Sequence, residues 1–145
     1  MNNQEKKQWL RSYQSVYRRI KIKREDIERL RSLETKITPT ISDMPKGNNQ
    51  SNKIELITEK IADIEDHISD EMKELDETRS EIEEAIREVP NEIYQEILER
   101  RYINGQHWEL IAVEMNYDYR WILRLHGKAL EMIKVPENKP LKATL

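Results

Sequence analysis

Residues 100–134 read RRYINGQHWELIAVEMNYDYRWILRLHGKALEMIK, and the spacing of their apolar side chains decides the fold. Apolar positions recur at helical intervals from Trp108 to Met115 and again from Ile122 to Ala129, with Asn116, Tyr117 and Asp118 between them. This predicts a short helix and a longer one, the second running from Asp118 to Lys134, joined by a tight turn as in a helix-turn-helix unit. Ile111, Ala112 and Met115 are expected to face Ile122, Leu125 and Ala129, and Ala112 is small where the two helices must approach. Asn116 takes the turn position that favours a left-handed residue, a conformation Asn tolerates. Tyr117 should insert its side chain into the core, and Asp118 should cap the second helix.

With Ile122, Leu125 and Ala129 inward, the helical period turns Arg120, Leu123, Arg124, Gly127 and Glu131 outward, flanked by Tyr119, Trp121 and Lys128. A guanidinium donates two hydrogen bonds to O6 and N7 of guanine in the major groove, and a leucine can meet a thymine methyl. Arg120, Leu123 and Arg124 are therefore the candidate base-reading residues. Arg100, Arg101, His107, Trp121, Lys128 and Lys134 are placed for phosphates, which set position on the duplex but carry no sequence information.

Toward the N-terminus, Pro90 marks a boundary, tolerated just inside a new helix or in the break before it. Ile93, Ile97 and Leu98 then give the stripe of a short helix ending near Tyr102, and Gly105 provides a turn. Further back, apolar residues step by three and four through Tyr13, Val16, Ile20, Ile27, Leu30 and Ile37, with Lys23 and Glu34 in two of the slots. The pattern returns at Ile57, Ile61, Ile64, Ile68, Leu75, Ile82, Ala85 and Val89, interrupted by Glu71 and Thr78. These are heptad seams on two helices, each roughly 45–55 Å long at the usual rise per residue. The stretch between them, ITPTISDMPKGNNQSN at residues 37–52, is too rich in Pro, Gly and Asn for a helix to be expected.

Charge supports the pairing of these helices. Residues 1–31 carry a net charge of +6, residues 54–88 one of −10 and residues 100–134 one of +2, within a chain of net −3. The basic run Lys6, Lys7, Arg11, Arg18, Arg19, Lys21, Lys23, Arg24 is most simply explained by pairing with the acidic helix, although it could also touch DNA phosphates. A two-helix seam buries little area, so self-association is expected to supply the rest. The expected architecture is all-α. Residues 1–89 form an antiparallel, oligomerising hairpin with its loop at 37–52, residues 90–134 a DNA-binding helix-turn-helix, and residues 135–145 a flexible tail.

Cysteine is absent, which excludes disulfides and thiolate chemistry and suits a reducing compartment. No window is apolar enough to cross a bilayer and the N-terminus has no apolar signal core, so a soluble, cytoplasmic protein with no membrane partner is expected. His67, His107 and His126 lack ligand spacing, and there is no phosphate-cradling Gly-rich loop. No metal, no cofactor and no enzymatic activity are expected.

The segment His107–Leu130 resembles, without gaps, the C-terminal helix-turn-helix of sigma factors (region 4). The likeness rests on Glu109, Ile111, Asp118, Ile122, Leu125 and the Lys128-Ala129-Leu130 ending. Arg101-Tyr102 looks like the Arg-aromatic pair closing the preceding helix. The whole chain resembles the small phage and prophage transcriptional regulators of the ArpU/RinA late-activator type. The resemblance implies a promoter- or operator-binding homo-oligomer in a bacterial host cell, whose base-reading positions fall on Tyr119, Arg120, Leu123 and Arg124, with host RNA polymerase a further partner. Tyr119, Trp121 and Leu123 depart from the usual Arg/Glu/Gln run of sigma factors, and no segment suited to a −10 element is seen, so a regulator is favoured over a sigma factor. Two other readings stay open: a small-terminase-like DNA-packaging subunit, and a polymerase-binding interaction protein.

Overall fold

The computed structural model describes residues 1–43 and 48–136, and the side chains of all of these but 38–43 and 48–50. Every regular element among the described residues is helical: α1 (Asn3–Asp43), α2 (Asn48–Arg87), α3 (Glu92–Leu98) and a π-helical turn (Glu99–Ile103), then α4 (Trp108–Met115) and α5 (Tyr119–Met132). Among the described residues no helix is long and apolar enough to cross a membrane.

Both long helices run further than expected. Asn2 and Glu5 start α1 with a reciprocal cap: the Glu5 amide donates to Asn2 Oδ1 at 2.9 Å, and the Asn2 amide donates to Glu5 Oε2 at 3.3 Å. At its far end α1 passes Pro39 and reaches Asp43, while α2 begins at Asn48. Residues 37–43 and 48–52 of the expected loop are therefore helical, and residues 44–47 lie outside the described residues. Once a helix has many turns, adding a residue carries no nucleation cost, so poor helix formers can be carried along at its end.

The chain divides into two compact units, one from Tyr17 to Glu74 and one made of Met1–Val16 together with the chain from Leu75 onward. This division does not follow Pro90; it cuts through both long helices. Within the first unit the seams sit as their periodicity predicts: Ile20, Ile27 and Ile61 are buried, and Leu30, Ile57, Ile64 and Ile68 half-buried. Arg19 pairs with Glu74 at 3.5 Å, Lys23 with Glu71, and Arg31 with Glu65 at 3.1 Å, so the two segments run antiparallel. Lys23 and Glu71, one polar interruption from each seam, meet each other.

The second unit has two apolar clusters. The smaller joins Ile97 of α3, Ile111 and Ala112 of α4, and Ile122 and Leu125 of α5, with Trp108, Met115 and Tyr117 packed against it. The larger brings together Trp9, Leu10 and Tyr13 of α1, Ile82, Ala85 and Ile86 of α2 with Val89 just beyond, Leu98, Tyr102 and Ile103, and Ala129, Leu130 and Ile133. Ala129 thus packs toward the long helices instead of α4 as expected. The end of α2 leads into α3 through Asn91, whose Oδ1 accepts from the Ile93 and Tyr94 amides at 2.9 and 3.1 Å. Pro90 lies in the break before that cap. Helix α5 stops at Met132, two residues short of Lys134, and Val135 packs on the larger cluster; the rest of the expected tail, residues 137–145, lies outside the described residues.

Candidate nucleic-acid interface

The junction of α4 and α5 follows the local chemistry of its three residues. Asn116 is left-handed (φ 57°, ψ 41°), and Tyr117 packs on the smaller cluster. Asp118 occupies the cap position of α5 with extended backbone, but its side chain makes no capping hydrogen bond, which leaves the expected cap unmade. Before α4, Gly105 turns the chain at φ 69°, a conformation that suits a residue without Cβ. Space is also short there, because a Cβ would meet Gln14 Oε1 at 3.2 Å.

These turns aim the two faces of α5 in opposite directions. Ile122, Leu125, His126, Ala129 and Leu130 are buried. Arg120, Leu123, Arg124 and Glu131 are exposed, as are Tyr119, Trp121 and Lys128 at the flanks. Neither Arg120 nor Arg124 forms an ion pair among the described residues, so both guanidiniums face solvent with their donors available. Leu123 and Tyr119 lie beside them, 37% and 41% exposed, which makes this face half apolar.

The residues expected to meet phosphates separate into two groups. His107, Trp121, Lys128 and Lys134 are exposed, and the Lys128 ammonium lies 5.9 Å from the Trp121 ring centroid, a cation–π contact that steadies both. Arg100 instead binds Glu96 at 2.8 Å and Glu114, tying α3 to α4. Arg101 donates to the Gln106 carbonyl at 3.0 Å and stacks on Trp108 at 4.7 Å. Arg100 is therefore neutralised within the chain, while Arg101 keeps an uncompensated charge.

His126 was not among the sequence candidates, and its environment is unusual. The Tyr102 hydroxyl lies 2.7 Å from His126 Nε2, and the Trp108 ring packs 4.4 Å from the imidazole. Burial, reinforced by the positive charges of Lys7, Arg101 and Arg11, holds the imidazole near a pKa of about 4. Burial likewise pushes the Tyr102 hydroxyl up to about 12. The hydrogen bond between the neutral imidazole and Tyr102 ties the π-helical turn to α5. Nothing in the sequence pairs residues 24 apart on different helices, so only the fold could reveal this bond.

The first turns of α1 also position α5, and sequence reasoning missed them. Lys6 Nζ donates to the carbonyls of Leu130 and Glu131 at 2.8 and 3.3 Å, satisfying groups that a helix C-terminus leaves open. Gln14 Nε2 donates to the carbonyls of Tyr102 and Ile103 at 3.2 and 3.0 Å. A usable signal did exist: Trp9 lies one four-residue step before Tyr13 and extends the seam. Among the described residues no group of His, Asp and Glu side chains is arranged to hold a metal ion. No family model, curated protein or solved structure matches the chain.

Proposed function

We propose that the chain is a sequence-specific DNA-binding transcriptional regulator of phage or prophage genes, of the ArpU/RinA late-activator type, that reads the major groove with α5. The observation that supports this most is the outer face of α5. It carries two guanidiniums with no carboxylate partner among the described residues, on a helix whose opposite face is locked into a core. In this reading α4 and α5 are the two helices of a sigma-like helix-turn-helix, Arg120 and Arg124 read bases, and Tyr119 and Leu123 supply apolar contacts. His107, Trp121, Lys128 and Lys134 hold the phosphates. The long helices form the oligomerising hairpin, because one reading helix with few cations binds weakly and a repeated operator needs more than one. Tyr17, Ile22, Leu33 and Leu56 are exposed apolar residues that self-association would cover.

The test is binding to duplexes from the promoters adjoining the gene, against scrambled duplexes of equal length. Arg120→Ala and Arg124→Ala should each cost about 1–3 kcal/mol of discrimination while leaving nonspecific affinity nearly intact. Equal affinity of wild type and both variants for the specific duplex rules out the proposed readout. Solution mass separates a dimer or tetramer from the ring of eight or more subunits that a packaging subunit would form.

A further inference from the structure

The basic N-terminal run was expected to be used up by the acidic helix, but its first turns are not. Lys6 is taken by the two carbonyls at the end of α5, whereas Lys7 and Arg11 form no ion pair with any described carboxylate. Their place is set from both sides. Lys6 pins α1 to the end of α5, and Gln14, two turns on, pins it to the π-helical turn. Lys7 and Arg11, four residues apart and so on one face of α1, lie between these two anchors. On the helical wheel they fall on the side of α1 next to Gln14, just outside the buried arc of Leu10 and Tyr13.

Arg101 stands in the π-helical turn that Gln14 holds, next to the Tyr102 carbonyl, and lies over Trp108, whose ring touches His126. In keeping with that placement, Lys7, Arg101 and Arg11 all oppose protonation of His126. Three cations from two distant parts of the chain thus gather beside the buried edge of α5. Beside a helix whose outer face carries Arg120 and Arg124, such a patch has the chemistry of a phosphate clamp.

We propose that Lys7 and Arg11 of α1, with Arg101, form a second contact surface for double-stranded DNA, gripping the phosphate backbone beside the groove that α5 enters. This rests on the reading of α5 given above. It makes α1 both a scaffold and a contact element. It also supplies the charge that residues 100–134, at net +2, lack.

The experiment measures affinity of the full-length protein for specific and scrambled duplexes over a series of salt concentrations. Lys7→Gln with Arg11→Gln should weaken binding to both duplexes alike, roughly tenfold at low salt, and lower the salt slope by about two, near one for each phosphate no longer neutralised. The charge-preserving exchange Lys7→Arg with Arg11→Lys should restore both. The His126 imidazole, followed by NMR in the neutralised variant, should titrate at higher pH than in wild type, which reports the approach of these cations without DNA. Salt-dependent wild-type binding with an unchanged slope in the neutralised variant overturns the clamp and leaves the α5 reading standing. Loss of discrimination in the Arg120 and Arg124 variants with their salt slope intact, together with the lowered slope of the neutralised variant, would support both surfaces. No salt-dependent binding by wild type overturns both.

Discussion

Between Tyr17 and Glu74 the chain relies on a narrow seam, with Ile20, Ile27 and Ile61 buried and polar pairs along its edges. The unit that holds α3, α4 and α5 draws on all the helices among the described residues, and Leu10, Ile82, Ile97, Leu98, Ile111, Ile122, Leu130 and Ile133 are all less than 2% exposed. Both units contain parts of α1 and α2 and share their heptad pattern. The difference is the number of directions from which apolar surface arrives: two helices can cover one stripe each, whereas four or more enclose a volume. A long helix can therefore be core at one end and little more than a spacer at the other.

Truncation of the core is the strongest way to break this contrast. Leu10→Ala removes a fully buried side chain from the composite unit and should cost about 2–5 kcal/mol. Ile27→Ala, in the seam, should cost clearly less, because water can reach the space it leaves. Urea unfolding of both variants checks the order, and equal losses would erase the distinction. The sharper observation is where Leu10 lies: a change near the N-terminus should disturb the proposed interface on α5, more than a hundred residues away in the sequence.

Acid should act selectively on the composite unit. His126 has a folded pKa of about 4, below its ordinary value near 6.5, so the unfolded chain takes up a proton that the folded one refuses. The stability gained by keeping it neutral is fully present above about pH 6.5 and is lost as pH falls toward 4. The whole effect is roughly 3 kcal/mol. Stability measured across this window should fall more steeply for wild type than for His126→Gln, and parallel curves would show that the imidazole does not stay neutral. Hydrogen exchange should place the acid-induced opening around the Tyr102–His126 bond before the 17–74 unit.

The smallest expected effect lies in the seam. Lys23 and Glu71 are 29% and 17% exposed at their side chains, and Glu71 Oε2 is buried without a hydrogen-bond partner. Removing only the lysine, as in Lys23→Leu, should cost about 1–2 kcal/mol, because it strands a carboxylate that is still partly reached by water. Replacing both with leucine should recover that loss or more. A double-mutant cycle on thermal unfolding separates the terms. Recovery would mean that the pair sets the alignment of the two segments more than it stabilises them.

Much of this was readable from periodicity. The stepping of threes and fours placed nearly every seam residue correctly, and it oriented α5 so that Arg120 and Arg124 face outward. Both rest on local geometry: a helix turns each side chain by a constant angle whatever its neighbours are. The left-handed Asn116 was legible for a similar reason, since the preference belongs to the residue itself. Less visible were features that need two remote segments to meet. Trp9 and Leu10 look like the weak start of a coiled-coil pattern, yet they are core for the C-terminal helices. Nothing local marks His126 as a partner of Tyr102 and Trp108, which only the fold brings to it.

The sequence by itself determined that the chain is helical, which face of α5 carries cations, and where the turn before it falls, because those follow from intervals of a few residues. The tertiary structure alone decided that the ends of the long helices belong with α3, α4 and α5, and that Lys6, from the basic run, holds the end of α5 instead of a carboxylate of the acidic helix. Contacts between remote segments depend on which apolar surfaces find each other in space, and no local interval records that.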